Sequence, residues 1–519
     1  MRKTIDKITR LWDRETCINS ISHHFRRERN VSVALIDIDF FTNIDSKVGR
    51  ETGDRILFNI ARYLQEIEYV TIGRYGGDEF IIIFYNTERE EVKELIYGIH
   101  KNFKKQRFIP AGSLYEKVPI TASIGLAFSS EYINGSHLLL KSAEIALAMA
   151  KKRGRNRVEL AEDDKIRIMK KNAVVNTAVG GGLKGDCKDN TKAFKAEISE
   201  PYGVDLNKKG ELYIVDRGNH KIKKVSYQGR VWTVAGSQHC GYLGDNGPAT
   251  EARLCKPSGV AIDIKNNIYI ADTGNHCIRK IDNKGIITTI AGSGVDGYSG
   301  DGNKAVLAEL SRPGGVVVDR NGNVYTNDYG NNVIRMITPE GFIYTVAGSG
   351  EYGYDGDGND ACLATMDRPY GLAVSTDGSM LYIADYGNNC IRQVDMNSKI
   401  ITTLCGSGAA GYWGDGGDCS KALLNGPFWL CLWGDKYLLV ADGNNNCIRI
   451  VNLVSNQIET LVGEKEYGYR DSKNIEDVRF NTPAGLVVDS KKDILYVSDY
   501  ANNSIRRVLL KNIAKVKGI

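Results

Sequence analysis

Six prolines recur through the second half of the chain at nearly constant spacing. Pro201, Pro257, Pro313, Pro369, Pro427 and Pro483 lie 56, 56, 56, 58 and 56 residues apart. The same text follows each of them. Pro257-Ser-Gly-Val-Ala-Ile-Asp leads to Asn267-Ile-Tyr-Ile-Ala-Asp and Thr273-Gly-Asn-His-Cys-Ile-Arg-Lys-Ile, then to Thr289-Ile-Ala-Gly and a Gly-Tyr-x-Gly-Asp loop. Short runs of Val, Ile, Tyr and Thr, broken by Gly and Asn-Gly, predict strands and tight turns. A long fixed period marks an architecture whose units bury their apolar faces only against their neighbours. About four such runs per unit, in six units with no helix between them, predict an all-β six-bladed propeller. Glycine, 56 of 519 residues, has no Gly-X-Y period and fits turn-rich β structure. An apolar content of 42% and 27 tyrosines exclude global disorder.

The most repeated stretch is a turn: Asp216-Arg-Gly-Asn-His-Lys-Ile-Lys, Asp272-Thr-Gly-Asn-His-Cys-Ile-Arg, Asp328-Tyr-Gly-Asn-Asn-Val-Ile-Arg, and their counterparts at Asp385, Asp442 and Asp499. These units resemble NHL repeats over about residues 174–510, a family that also implies a six-bladed propeller. The last unit ends near Leu510 without its final strand, and Asn176-Thr-Ala-Val-Gly precedes the first proline as Tyr344-Thr-Val-Ala-Gly precedes Pro369. Residues 174–200 are therefore expected to complete the sixth blade and remove its open edge.

One cation recurs in every unit: Lys223, Arg279, Arg335, Arg392, Arg449 and Arg506. A charge repeated in each blade reads as architecture, each paired with the Asp of its own Asp-x-Gly-Asn turn. The Gly300-Asp-Gly, Gly356-Asp-Gly and Gly414-Asp-Gly loops supply one acid each, too few for Ca²⁺, and are expected to be Asp-stabilised turns. The eleven cysteines form no Cys-x-x-Cys or His/Cys cluster and are expected to be reduced thiols. A net charge of +5 gives no ground for a nucleic-acid partner. No signal-type apolar segment and no run of ~18 apolar residues is present, so the expectation is a cytoplasmic protein with no membrane partner.

The first half has a different grammar. Val31-Ser-Val-Ala-Leu-Ile-Asp-Ile-Asp predicts a buried strand ending in two acids. The apolar i, i+3, i+4 spacing from Gly53 to Leu64 predicts a helix, as does His137 to Lys152. Ile72-Gly-Arg-Tyr-Gly-Gly-Asp-Glu-Phe predicts a Gly-Gly hairpin leading into a core strand, and Ile120-Thr-Ala-Ser-Ile-Gly-Leu-Ala another strand. The fold class is thus multidomain: an α/β domain at 1–160, a charged connector at 161–173, and the propeller at 174–519. Adjacent acids at a hairpin beside a strand bearing Asp37 and Asp39 suit Mg²⁺, which takes oxygen ligands and shares them with phosphates. The Lys151-Lys-Arg-Gly-Arg-Asn-Arg tract suits a triphosphate.

Asp6-Lys-Ile-Thr-Arg-Leu-Trp-Asp-Arg, Asp37-Ile-Asp-Phe-Phe, Gly53-Asp54, Gly76-Gly-Asp-Glu-Phe, Thr121-Ala-Ser-Ile-Gly and Ala150-Lys-Lys-Arg-Gly-Arg-Asn-Arg follow one another in the order of the GGDEF, or diguanylate cyclase, family. Residues 5–160 resemble that family nearly throughout. The resemblance implies that Asp37, the Ile38 carbonyl and Asp78 bind Mg²⁺ (or Mn²⁺), and that Glu79 organises the metal site or the attacking 3′-hydroxyl, with Asp78 and Glu79 the catalytic pair. It implies amides at Phe40 and Phe41 around the phosphates, Lys151 and Arg155 on the triphosphate, and Asp54 accepting from guanine. Two such domains, each with one GTP, form cyclic di-GMP and release pyrophosphate, so a homodimer through this domain is implied.

Several positions depart from the family pattern. Asp45 stands where the family has an Asn that reads guanine, and a carboxylate offers no donor to guanine O6. Thr42 replaces a Lys, Arg50 a His and Ala148 a Tyr. Ile67-Glu-Tyr-Val70 lacks the Arg and Asp of the family's inhibitory product site. The expectation is a diguanylate cyclase regulated by a propeller that senses an unknown ligand or protein. The alternatives are an inactive GTP-binding domain on a propeller scaffold and a cyclase making an adenine-containing cyclic dinucleotide.

Overall fold

A computed structural model describes residues 4–27, 30–68, 70–109, 119–129, 136–161, 174–472 and 474–517. The chain forms two compact units, Met1–Asn172 and Ala173–Ile519. Beyond residue 161, the expected connector lies outside the described residues.

The first unit is built on a five-stranded sheet of β1 (Val31–Ile38), β2 (Val70–Arg74), β3 (Glu79–Tyr85), β4 (Ala122–Phe128) and β5 (Val158–Leu160), in the order β2-β3-β1-β4-β5. Only the β4–β5 pair is parallel. Strand β1 is buried along its whole length because both faces are covered. Ala34, Ile36 and Ile38 pack with Ile56 and Ile60 of helix α3 (Arg50–Gln65) and Val92 and Ile96 of α4 (Arg89–Phe103). Val31, Val33 and Leu35 face Cys17 and Ile21 of α1 (Arg14–Arg27) and Leu139 and Ala143 of α5 (Ser136–Lys152). A near-continuous apolar run thus presents apolar side chains to both faces and holds helices on both sides. A short helix α2 (Phe41–Val48) leaves the end of β1 and meets α3 at Gly49, whose φ of 81° turns the chain.

The second unit is a six-bladed propeller. Six antiparallel sheets follow one another, each led by an innermost strand beginning at or just after one of the repeat prolines. Neighbouring innermost strands touch around the ring, and the last, Pro483–Asp489, touches the first, Pro201–Leu206. A repeated bracket ties each blade to the next. The turn after the second strand ends on a left-handed residue whose side chain accepts a backbone N–H in front of the next proline: His220 from Lys256, His276 from Arg312, Asn332 from Arg368, Asn389 from Gly426 and Asn446 from Thr482, at 2.9–3.3 Å. Asn and His tolerate this conformation better than branched residues.

Val175–Val179 pairs with Ser504–Leu509 as the outermost strand of blade six. The remainder of 174–200 is divided between blades: Thr191–Lys192 pairs with Arg230 and Val231 at the outer edge of blade one. A helix, Leu510–Lys517, follows, with Leu510 and Ile513 buried beside Val174 and Val175.

The recurrent cations are buried. Arg279, Arg335, Arg392, Arg449 and Arg506 are fully enclosed, and each lies 2.7–3.6 Å from the Asp of its own turn (Asp272, Asp328, Asp385, Asp442, Asp499). Each has a second acid at 2.5–2.8 Å: Asp245, Asp301, Asp357, Asp415 or Asp471. Four of these second acids belong to the Gly-Asp loops, so the loop acids serve as arginine partners beyond their local turns. Each guanidinium also stacks on the loop tyrosine three residues before that acid, or two before it in the last blade: Tyr242, Tyr298, Tyr354, Tyr412 and Tyr469, at 4.7–5.3 Å. A desolvated guanidinium gains most from such paired acids and a ring face. Blade one is the exception, with Lys223 on Asp186 at 3.0 Å.

One expectation about the cysteines is corrected. Cys240 and Cys255 form a disulfide. The loop between them folds back on itself through a Leu243–Arg253 bridge, which brings the two α-carbons to 4.4 Å. The other nine cysteines are free, and Cys277, Cys390 and Cys447 at the shared repeat position are buried packing residues. Among the described residues no helix is long and apolar enough to cross a membrane.

Candidate active site

The site begins where β1 ends and β3 starts. In the antiparallel register Asp37 stands opposite Glu79, and the Ile38 N–H donates to the Asp78 carbonyl at 3.3 Å. The intervening turn is fixed from both sides. Tyr75 and Gly76 N–H groups donate to the Glu79 carbonyl at 2.8 and 3.2 Å. The Arg74 guanidinium donates to the Gly77 carbonyl at 2.6 Å and to the Asp6 carboxylate at 3.0 Å, while Asp6 accepts from the Thr9 N–H at 2.7 Å. A Cβ on Gly76 would sit 2.8 Å from a Glu79 carboxylate oxygen, so any larger residue there would displace the Glu79 carboxylate from its place over the turn.

Lys151, in the last turn of α5, reaches into this group. Its Nζ donates to Asp37 at 2.5 Å and lies 3.8 Å from Glu79. Burial pushes the Asp37 carboxyl up to about 6; Lys151 opposes the shift, and the negative charges of Asp78 and Glu79 add to it. The three acids therefore carry more negative charge than one ammonium balances, and that surplus is what a divalent cation would relieve. Among the described residues no three His, Cys, Asp or Glu side chains are placed to hold a metal by themselves. Two carboxylates, Asp37 and Asp78, and the Ile38 carbonyl lie at this strand end, oxygen donors of the type that Mg²⁺ takes.

Asp39, two residues beyond Asp37, has a different role. It is buried and accepts three hydrogen bonds: from Ser123 Oγ at 2.6 Å, Thr121 Oγ1 at 2.7 Å and the Asn156 N–H at 3.0 Å. It fastens the loop after α5 to the end of β1, and three of its roughly four acceptor sites are engaged there. The only sequence sign of this role was the alternation of hydroxyls in Thr121-Ala-Ser123. The loop it anchors carries Arg155, whose guanidinium lies 4.7 Å over the exposed Phe40 ring. Phe40 is left-handed, with φ 60°, and immediately precedes α2, so the first amides of that helix open toward the same strand end.

Asp45 and Asp54 come from α2 and α3. The Asp45 carboxylate lies over Gly53: a Cβ there would fall 1.9 Å from Asp45 Oδ1. Gly53 thus makes room for Asp45 next to Asp54, and both acids are half-buried. The structure brings Asp37, Ile38, Asp78, Glu79 and Lys151 together, sets Phe40, Phe41 and Arg155 beside one another, and seats Asp45 on the residue preceding Asp54.

A family model described as "Diguanylate cyclase, GGDEF domain" matches residues 3–157. The first domain is a GGDEF domain. The second is an NHL-type repeat propeller: a model described as "Teneurin NHL domain" matches residues 236–298 and 293–354. NHL repeat-containing protein 2 of Gallus gallus is 29% identical over 368 residues, covering 62% of this chain and 49% of that protein. Diguanylate cyclase A of Treponema denticola is 29% identical to the GGDEF part over 147 residues, covering 28% of this chain and 39% of its own. Diguanylate cyclase DosC of Shigella sonnei is 34% identical over 142 residues, covering 27% and 30%. The chain spans about half the length, or less, of these relatives.

Proposed function

We propose that the GGDEF domain is an active diguanylate cyclase that condenses two GTP into cyclic di-GMP with Mg²⁺ or Mn²⁺, and that the propeller senses a ligand or protein that sets the pairing of two such domains. The observation that carries this reading is the convergence of Asp37, Asp78 and Glu79 beside a single ammonium, Lys151. A bound divalent ion would neutralise phosphate charge and favour in-line attack. Lys151 and Arg155 hold the triphosphate, and the amides at Phe40 and Phe41 cradle it at the start of α2. Glu79 orients the 3′-hydroxyl, and Asp54 accepts from the guanine edge. One domain supplies one nucleotide, so each new phosphodiester needs a second copy facing the first.

Asp45 favours a second reading at the base. Its carboxylate sits beside Asp54 and offers only acceptors, which tolerate an adenine amino group and give nothing to guanine O6. Incubating the purified chain with Mg²⁺ and each nucleoside triphosphate, singly and mixed, with products read by mass spectrometry, tests both readings. Cyclic di-GMP from GTP alone, lost in a folded Asp78→Ala variant, is the expected result. A mixed adenine-containing product supports the second reading. GTP binding with no product in any mixture refutes both and leaves a GTP-binding scaffold.

A further inference from the structure

In four of the six blades the hairpin between the first and second strands is built on one side chain that accepts backbone N–H groups of the turn. Asp263 accepts from Lys265 and Asn267, Asp319 from Asn321 and Asn323, and Asp489 from Lys491, at 2.8–3.2 Å. Blade one has an amide there: Asn207 accepts from Lys209 and Glu211, both at 3.0 Å. The exchange keeps the turn and removes its negative charge at the position that two lysines, Lys208 and Lys209, follow. Blade six, next to it in the ring, carries Lys491 and Lys492 at its own tip. The other four tips read Ile264-Lys265, Arg320-Asn321, Thr376-Asp377 and Gly434-Asp435, so paired lysines occur only on the two blades that close the ring.

Between these two hairpins lies a cavity of about 340 Å³, lined by residues 206–210 and 488–492. Blade six reaches across it. The Lys491 ammonium donates to the Lys208 carbonyl at 3.1 Å, and a Cβ on Gly210 would come within 3.1 Å of Lys492 Nζ. The lining holds four ammonium groups and one carboxylate. That carboxylate, Asp489, is engaged by Lys492 at 2.8 Å. The neighbouring Glu211 is engaged elsewhere, by Asn207 Nδ2 at 2.8 Å and Lys224 at 3.3 Å. Lys208 and Lys209 are exposed, and Lys491 spends one proton on a neutral carbonyl.

We propose that this cavity is a binding site for a small oligophosphate anion, with pyrophosphate as its minimal ligand. Four lysines from two hairpins line a half-open cleft of small-molecule size, and a lysine serves a phosphate as a point-charge donor. The bound anion would bridge blade six to blade one and so stabilise the closed ring. The site lies on the propeller and is separate from the nucleotide site proposed for the GGDEF domain.

The test is calorimetric titration of the full chain carrying Lys151→Ala, which removes a phosphate ligand of the other domain. Inorganic pyrophosphate and adenosine diphosphate are the two probes. Saturable binding of either, with a rise in the propeller's melting temperature, is expected; the tighter probe distinguishes a free inorganic anion from the phosphate tail of a nucleotide. Adding Lys208→Gln and Lys209→Gln should weaken binding by about tenfold or more, since each charge-assisted bond contributes on the order of that factor. Lys208→Arg with Lys209→Arg should retain it. Both residues are exposed on a turn, and an unchanged melting temperature without ligand verifies the fold. Unaltered affinity in the Gln variant, or no binding by about 1 mM of either probe, overturns the proposal.

Discussion

The Asn503 side-chain oxygen accepts the backbone N–H of Glu200 at 3.0 Å, joining positions 303 residues apart. It is the sixth copy of the bracket that links every other blade to its successor, and it links the last blade to the first. The same seam is held by Val175–Val179 on Ser504–Leu509, by Thr177 Oγ1 against the Tyr469 hydroxyl at 2.6 Å, and by the Thr177 N–H on Asp471 at 3.1 Å.

A fragment beginning at Val174 should therefore fold alone as a monomeric propeller with one cooperative thermal transition. One beginning at Glu200 turns the amide that Asn503 accepts into a terminal ammonium, and loses the closing strand and Asp186, the partner of Lys223. It exposes the edge of Ser504–Leu509 and should aggregate or melt without cooperativity. Calorimetry and size-exclusion chromatography on the two fragments decide the matter, and equal behaviour would show that the 175–179 strand is dispensable.

Arg335→Met should destabilise the propeller by about 3–5 kcal/mol, because it leaves the buried Asp328 carboxylate without its cation. Asp301→Asn changes the more exposed end of the same network and should cost only about 1 kcal/mol. Urea unfolding followed by tryptophan fluorescence measures both. Similar losses for the two variants would mean that the loop acid and the turn acid carry equal weight.

Asp39→Ala should lower the stability of the GGDEF domain by roughly 2–4 kcal/mol, through three lost hydrogen bonds and the hydroxyls they leave unpaired. It should also free the loop bearing Arg155 and raise KM for GTP more than it lowers kcat. If Asp39 were a metal ligand instead, the variant would shift the Mg²⁺ requirement with little change in thermal stability.

Asp37 sets a pH dependence of known sign. Its folded-state value, about 6, lies above the ordinary 3.8, so the metal-free folded domain holds this proton more tightly than the unfolded chain. The stability gained from that proton is full below pH 4 and is lost as pH rises to about 6. Over that interval, on the order of 2–3 kcal/mol should disappear from the metal-free domain, and Asp37→Asn should flatten the slope. Melting temperatures of wild type and variant in chelator, between pH 4 and 7, provide the comparison.

Asp45→Asn restores an amide donor toward guanine O6. A base-edge hydrogen bond of this kind contributes ~1–3 kcal/mol of discrimination. The ratio of GTP to ATP consumption should rise about tenfold in competition assays. A fixed ratio would remove Asp45 from base recognition.

Both architectures are legible in the chain. Six copies of one strand-and-turn text cannot bury their apolar faces except against one another, which gives six blades, and β1, a nearly continuous apolar run, must be covered on both faces. The chain also presented Asp37, Asp78, Glu79 and Lys151 as candidates, because their residue types and order are local properties. Tertiary structure alone decided how the charges are shared. Asp39 and Asp37 look equivalent in the chain, yet one is consumed by Thr121, Ser123 and Asn156 while the other faces Lys151. The loop acids Asp301, Asp357 and Asp415 read as turn formers, yet each one ends on an arginine 34–35 residues away in sequence. Cys240 and Cys255 carry no spacing signature and meet only because their loop folds back. Secondary structure is written in short-range periodicity, which a sequence displays. Which donor meets which acceptor depends on where a closed ring or a sheet edge brings distant segments together, and no local pattern records that.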